Sequence, residues 1–98
     1  MEIIFLRAAE TDLLAAWTRY EEASPGLGER FEAQVRAALG RITEHPESAP
    51  FYAGEIRRLL VRRFRYGIFY RVHGSRVVII ALLDLRQDPS AIERRLEF

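Results

Sequence analysis

The sequence YGIFYRVHGSRVVIIALLDL, residues 66–85, decides the fold of this chain. Apolar residues alternate with others through its first part, a pattern that is typical of a β-strand over Tyr66–His73. The pair Gly74-Ser75 then separates this strand from the apolar run Val77–Leu83. Two strands joined in this way predict a β-hairpin whose second strand spans Arg76–Leu85. Because that strand is apolar on both faces, we expect it in the centre of a sheet covered on both sides.

Two amphipathic helices are predicted in the first half of the chain. Apolar residues recur at helical spacing over residues 8–23 and again to about residue 44. Ser24 is the predicted N-cap of the second helix, and Pro25 is its predicted first residue. The short break between the helices predicts an antiparallel helical hairpin. The apolar stripe of the second helix consists of Leu27, Phe31, Val35, Ala38, Leu39 and Ile42.

The remaining segments complete an α+β fold. Residues 2–7 and 56–63 are predicted strands, and the prolines and glycine of residues 44–55 indicate a loop. A short C-terminal helix is predicted after Asp88, its N-cap, with Pro89 in its first position. The order is β-α-α-β-β-β, with the N-terminal helical hairpin packed on one face of a mainly antiparallel sheet.

Amino-acid composition limits the classes of protein to which this chain can belong. The chain has 98 residues, 49% of them hydrophobic, which suits one domain spanning residues 1–98. It contains no cysteine, so disulfide frameworks and thiolate metal sites are excluded, and no cofactor is predicted. No apolar leader follows Met1, and no apolar run is long enough to span a bilayer. We therefore expect a cytoplasmic protein without a membrane partner.

Charge is segregated along the chain. Residues 1–55 hold five Arg and ten Asp or Glu, whereas residues 56–98 hold ten Arg and four acids. Residues 56–83 alone contain seven Arg and no acid. We expect one face of the sheet to lie under the helices and the other to be a mixed surface of arginine and aromatic residues. Such a single-sign surface attracts an oppositely charged partner, either a nucleic acid or an acidic peptide.

The aromatic residues of the hairpin have two open interpretations. Tyr66 and Tyr70 could stack on nucleic-acid bases. If their face lies under the helices, they are core residues instead. His45 and His73 have no predicted catalytic partner, and Asp88 is expected to act as a helix cap.

Three segments carry a resemblance to a known family. The order and spacing of these segments resemble the RelE/ParE superfamily of bacterial type II toxins over nearly the whole chain. The resemblance implies the toxin of a toxin–antitoxin system, of the kind linked to plasmid stabilisation. It also implies a hetero-oligomer with a cognate antitoxin, whose disordered segment folds on the toxin. The segments are RAAETDLLAAWTRYEEASPGLGERFEAQV (7–35), IRRLLVRRFRYGIFYRV (56–72) and VVIIALLDLRQDP (77–89).

The superfamily contains two activities. RelE-like toxins are ribosome-dependent mRNA endonucleases, whereas ParE-like toxins bind DNA gyrase and are not known as nucleases. The sequence YGIFY is similar to the ParE-like branch. Gly67 stands where the nuclease branch often has Arg, and no tyrosine follows Tyr70 to serve as a C-terminal acid. We therefore expect a ParE-like toxin that binds a protein target, DNA gyrase, and has no catalytic centre of its own.

Two alternatives stay open. In a RelE-like mRNA endonuclease, acting on the ribosome and mRNA, the cation roles would fall to Arg58, Arg62 and Arg86. Arginine stabilises phosphate charge well, but its pKa above about 12 makes it a poor proton shuttle. The other alternative is a non-toxic member that only binds its antitoxin.

The resemblance and the charge pattern together suggest contact residues. An acidic, partly apolar antitoxin segment on the helical hairpin and sheet would pair with arginines. Three positions depart from the family pattern: Arg65 replaces a frequent Pro, Asp84 a frequent His, and Gln87 a second Arg. The predicted partner-binding residues are Arg57, Arg62, Arg71 and Arg86, and we expect Asp84 to weaken the charge of Arg86.

Overall fold

The secondary structure follows the predicted order with one addition. The computed structural model describes residues 1–97. No helix within these residues is both long and apolar enough to cross a membrane. The added element is a short strand inside the segment predicted as a loop, so that prediction was wrong there. The elements are β1 (Glu2–Phe5), α1 (Arg7–Ala23), α2 (Leu27–Glu44), β2 (Phe51–Ala53), β3 (Ile56–Val61), β4 (Tyr66–His73), β5 (Arg76–Asp84) and α3 (Pro89–Leu96).

The sheet has the strand order β1-β5-β4-β3-β2. β1 lies parallel to β5, and the other neighbours are antiparallel, so the predicted α+β class with a mainly antiparallel sheet is confirmed. The hairpin predicted from residues 66–85 is β4 and β5, joined by a turn in which Gly74 has φ +62°. β2 is only three residues long and borders Pro50, which is why its sequence resembles a loop.

A β-bulge in β5 explains how so many consecutive apolar residues are buried. Phe69 of β4 pairs with Ala81, but the next residue, Tyr70, pairs with Ile79. Ile80 is therefore an extra residue on β5, and Ile80 and Ala81 belong to the same apolar cluster. The bulge shifts the alternation of β5, so that both faces of the strand supply core residues.

The two faces of the sheet each carry an apolar cluster. The main cluster lies between the helical hairpin and the sheet and includes Phe31, Tyr66 and Tyr70. The second cluster lies on the opposite face, where Ile92 of α3 and Phe69 are buried together with neighbouring side chains. The predicted open surface of arginine and aromatic residues is therefore wrong for the middle of this face, because α3 covers it. The second cluster consists of Ile56, Phe69, Ile80, Ala81, Leu83, Ile92 and Leu96.

The start of α3 agrees with the sequence. The carboxylate of Asp88 accepts a hydrogen bond from the backbone N–H of Ser90 at 2.9 Å, and Pro89 is the first helical residue. These contacts lower the pKa of Asp88, with the backbone hydrogen bond as the main cause. The cap sets the position from which α3 crosses the sheet.

The junction between α1 and α2 differs from the prediction. Ser24 ends α1, since its N–H donates to the carbonyl of Tyr20, and α2 begins only at Leu27 after Gly26 with φ +88°. The carboxylate of Glu21 takes the place of the predicted Ser24 cap. It accepts from the N–H of Gly26 at 3.0 and 3.1 Å and from that of Gly28 at 3.1 Å. A residue on one helix thus caps the next helix, which fixes the angle of the hairpin.

We expect Glu21→Ala to destabilise the chain by about 1–2 kcal/mol, because two N–H groups at the start of α2 lose their acceptor. Urea unfolding followed by circular dichroism measures this change. Glu22→Ala is the matched control, since Glu22 is exposed, and it should shift stability by less than about 0.5 kcal/mol. Equal effects of the two substitutions would show that the Glu21 cap contributes nothing.

Candidate functional site

The turn between β3 and β4 borders an open cleft at one end of the sheet. The cleft has a volume of 590 Å³, and its apolar side chains include the half-exposed Leu60. The N–H of Leu85 donates to the carbonyl of Arg65 at 2.8 Å, which ties the end of β5 to the turn. The cleft is lined by Leu60, Val61, Arg62, Arg63, Phe64, Arg65, Tyr66, Leu85 and Arg86. It therefore combines an apolar floor with four arginines.

The conformation of the turn is set by Phe64. Its ring packs against the rings of Tyr20 and Phe31, with centroids 5.0 and 5.1 Å apart. Arg63, which precedes it, has φ +71°, a left-handed conformation that is unfavourable for a residue with a Cβ atom. The partly buried ring of Phe64 thus anchors the turn next to Arg63, whose backbone is strained and whose side chain is exposed.

We expect Arg63→Gly to stabilise the chain by about 0.5–1 kcal/mol relative to Arg63→Ala, since only glycine relieves the strain of the positive φ. Both variants remove the same charge, so their difference isolates the backbone conformation. Thermal unfolding resolves it, because a change of about 1 kcal/mol shifts Tm by roughly 4–8 °C in a domain of this size. Identical Tm values would contradict the assignment of strain to this residue.

Further arginines from α2 extend the charge of the turn. Arg30 and Arg63 line a common groove beside Phe64. Arg41 contacts the carbonyl of Leu60 at 3.4 Å. Burial, and then the neighbouring charge of Arg62, lower the pKa of Arg41. We call Arg30, Arg41, Arg62, Arg63 and Arg65 the cationic surface; no carboxylate among residues 1–97 forms an ion pair with any of them.

Arg86 lies beside the cationic surface but is paired. Its Nε and Nη2 atoms donate to the two carboxylate oxygens of Asp84 at 3.0 and 2.7 Å, and its backbone N–H donates to the same group at 2.9 Å. The side-chain hydrogen bonds from Arg86 hold the pKa of Asp84 below its ordinary value of 3.8. Asp84 is consequently ionised at neutral pH and is a weak proton acceptor.

Two residues of α1 reach the same end of the sheet, and sequence reasoning did not identify them as site residues. A guanidinium nitrogen of Arg19 donates to the hydroxyl of Tyr66. Burial, followed by the nearby Tyr66, raises the pKa of Tyr20, so its phenol stays protonated at neutral pH and can donate but not accept a proton. No local motif within residues 7–23 marks these positions, because only the packing of α1 brings them to the sheet.

The four predicted partner-binding arginines do not converge. Arg62 and Arg86 both line the cleft. Arg57 instead supports the segment after α2, since it donates to the carbonyls of Glu47 and Ala49 at 2.8 and 2.7 Å. Its guanidinium carbon also lies 3.9 Å from the ring centroid of Phe51. Arg71 lies towards the other end of β4, where its partner is Val78 of β5.

The residues of the nuclease alternative are also separated. Arg62 and Arg86 line the cleft, but the side chain of Arg58 crosses Gly67 on the face of the second cluster. A Cβ atom on Gly67 would lie 3.1 Å from Cγ of Arg58 and 3.1 Å from Cδ2 of Leu85. The guanidinium carbon of Arg58 lies 5.1 Å from the centroid of Tyr52, outside the cleft lining. The absence of a side chain at Gly67 therefore gives Arg58 its path across the sheet.

The tyrosines of β4 are core residues, and the base-stacking interpretation was wrong. Tyr66 and Tyr70 are 2% and 0% exposed. The hydroxyl of Tyr70 donates to the carbonyl of Pro46 at 2.8 Å, and burial raises the pKa of this phenol. These rings are closed to a nucleic-acid base.

A second surface lies on the helical hairpin and carries the opposite charge. A groove of 630 Å³ has the apolar residues Leu13, Leu14 and Trp17 in its lining, and the side chain of Leu14 is largely exposed. Three carboxylates also line the groove: Glu10, Glu29 and Glu32. At about 100° per helical residue, Glu32 lies on the opposite side of α2 from Arg30 and Arg41. Glu32 also pairs with Arg36 at 3.5 Å.

Comparisons with known proteins agree with this geometry. A family model described as the ParE toxin of the type II toxin–antitoxin system parDE matches residues 3–89. The chain belongs to the ParE toxin family. It is 30% identical over 89 residues to Toxin ParE2 of Mycobacterium tuberculosis, in two strains, covering 89% of this chain and 84% of that protein.

Solved structures show the same ParE-type fold. A chain of the chromosomal ParDE system from P. aeruginosa superposes with a TM-score of 0.78 at 18% identity, covering 88% of this chain and 97% of that one. The isolated E. coli RelE toxin superposes with a TM-score of 0.63 at 19% identity, covering 97% and 98%. The expected RelE/ParE superfamily and its ParE-like branch are thus confirmed.

Within the ParE family, one departure from the usual pattern now has a structural explanation. Asp84 is the carboxylate that binds Arg86, as the sequence suggested. Gln87 lines a cavity of 170 Å³ together with Asp12, Arg19 and Tyr66. The charge available at the ParE cleft therefore comes from Arg62, Arg63 and Arg65 and not from Arg86.

Proposed function

We propose that this ParE-family toxin acts by binding DNA gyrase in the cytoplasm and has no catalytic centre of its own. The observation that carries this proposal is the pairing of Asp84 with Arg86 at the cleft. Metal-free RNA cleavage needs a group that accepts the proton of a 2′-hydroxyl. Arg86 lowers the pKa of Asp84 and so makes this carboxylate a weak base, and Tyr20 is protonated at neutral pH, so neither is suited to accept that proton.

The second candidate is a ribosome-dependent mRNA endonuclease. It is favoured by the position of Arg62 and Arg86 at one cleft, near the contact between Arg19 and Tyr66. Guanidinium groups could stabilise the charge of a pentavalent phosphate intermediate. Proton transfer is the weak step of this mechanism, because arginine does not release its proton at neutral pH.

We further propose that a cognate antitoxin neutralises the toxin by binding in the groove of the helical hairpin, as a hetero-oligomer. The exposed Leu14 and the half-buried Trp17 offer apolar area to a segment that folds on binding. Because the groove is lined by carboxylates, that segment should carry basic residues there. The acidic antitoxin segment first expected on the hairpin would be repelled. Maintenance of a plasmid would follow from the pairing of a toxin with an antitoxin.

Two assays on the purified chain separate the candidates. One follows the supercoiling of a relaxed plasmid by gyrase, and the other follows the integrity of ribosome-bound mRNA. We expect blocked supercoiling with intact mRNA. Cleaved mRNA with normal supercoiling would establish the endonuclease, and normal growth of bacteria that express the toxin alone would indicate a non-toxic family member.

A further inference from the structure

The cationic surface forms one continuous feature along α2 and the β3–β4 turn. Arg30 and Arg41 are eleven residues apart on α2, so the surface extends about 16 Å along the helix axis. Arg63 lies beside Arg30, and Arg62 lies beside Arg41. The surface therefore matches the length of a peptide segment of about three helical turns.

The charges of the cationic surface are not balanced by the chain itself. Among residues 1–97, the ion pairs within 4.0 Å involve other arginines: Arg36, Arg76, Arg86 and Arg95. Clustered like charges repel one another, and the pKa of Arg41 is lowered first by burial and then by the charge of Arg62. An arginine also occupies position 63, where φ is positive and glycine would fit without strain. Repulsion and strain in one place indicate a surface that is arranged for a partner.

The floor of the cleft identifies the class of partner. Leu60 is 52% exposed and lines the cleft together with Leu85, Phe64 and the arginines of the turn. A phosphate backbone gains nothing from an apolar floor. A protein segment that carries carboxylates around an apolar side chain can use the floor and the arginines together.

We infer that the cationic surface is the target-binding surface of this toxin, and that its ligand is an acidic protein segment whose apolar side chain packs on Leu60. This inference rests on the proposed function, in which the target is a protein. Arg62 and Arg65 pair with carboxylates of the segment, and Arg30 and Arg41 contact its ends. The groove of the hairpin, lined by carboxylates, stays available to the antitoxin.

Peptide binding by the purified full chain tests the chemistry directly. The probe is a fluorescent peptide of about twelve residues, in which Leu and Phe are flanked by glutamates, titrated by anisotropy. A second peptide has Ser in place of Leu and Phe, and a third probe is a single-stranded oligonucleotide. We expect the first peptide to bind about tenfold more tightly than the second, and Arg62→Gln/Arg65→Gln to weaken it by about tenfold. Leu60→Ser should remove the preference for the apolar peptide.

The matched control is Arg7→Gln/Arg94→Gln, which removes two exposed arginines elsewhere and should change affinity by less than about twofold. Equal losses in the two double variants, or equal affinity for the two peptides, would overturn the inference. Tighter binding of the oligonucleotide would assign the surface to nucleic acid instead.

Supercoiling assays separate this failure from failure of the proposed function. If the wild-type chain does not inhibit supercoiling, gyrase is refuted as the target, independently of the peptide affinities. If Arg62→Gln/Arg65→Gln inhibits supercoiling as strongly as the wild-type chain does, the cationic surface is not the surface that binds the target.

Discussion

Replacing Phe69 by alanine is expected to destabilise the chain by about 3–4 kcal/mol. Phe69 is 0% exposed and lies in the second cluster, where its ring meets that of Tyr52 edge-on with centroids 5.2 Å apart. Truncation would leave a cavity under α3 that the bulged strand cannot fill, since the residues around it are already paired in the sheet. Such a loss is a large part of the stability of a domain of this size. Equilibrium unfolding in urea measures it.

The control for Phe69 is Leu60→Ala. Leu60 lies on the same face of the sheet but is 52% exposed beyond the cover of α3, so its truncation should cost less than about 1 kcal/mol. A small effect at both positions would mean that this face is open after all, as the sequence alone suggested. A large effect at Phe69 alone would confirm that α3 closes a second core.

Replacing Asp12 by alanine is expected to destabilise the chain by roughly 2–4 kcal/mol. The carboxylate of Asp12 binds both terminal nitrogens of Arg95 on α3, at 3.0 and 2.8 Å. It also accepts the N–H of Leu82 at 3.1 Å, on the edge of β5 beyond its pairing with β1. One side chain on α1 thereby joins the sheet and the terminal helix, and the pair is largely shielded, with 16% of Asp12 and 35% of Arg95 exposed.

A comparison of two single substitutions separates the two roles of Asp12. Arg95→Gln leaves the acceptor of Leu82 in place and should cost about 1–2 kcal/mol, while Asp12→Ala removes both interactions. If the two substitutions cost the same, the hydrogen bond to Leu82 contributes nothing. Binding of a hydrophobic dye should increase in both variants if α3 loosens, because the second cluster then becomes exposed.

Local patterns predicted much of this fold. The hairpin of β4 and β5 follows from alternation and a two-residue turn, and the cap of α3 follows from Asp88 and Pro89, since each signal lies within a few residues. The bulge at Ile80 could not be predicted, because an apolar run reads the same with or without one extra residue. The partnership of Asp12 with Arg95 spans 83 positions and has no local signal.

The sequence predicted the type of candidate site but not which arginines form it. Segregation of arginine in the second half of the sequence predicted a positively charged surface, and Arg62, Arg63 and Arg65 line the cleft. Which arginines remain available depends on where carboxylates and carbonyls lie in three dimensions. Arg57 donates hydrogen bonds to carbonyls of the segment after α2, and Arg86 forms an ion pair with Asp84. Arg30 and Arg41 join the surface only because α2 packs beside the β3–β4 turn.

The carboxylates of the hairpin groove and the arginines of the cationic surface lie on different parts of the molecule, which gives it an electric dipole moment despite a net charge of only +1. Such a molecule rotates in the field of a charged target before the two surfaces touch, so that more encounters begin in a productive orientation. Added salt screens this preorientation and should slow association while leaving dissociation almost unchanged. The toxin would thus find its target fastest where ionic strength is low.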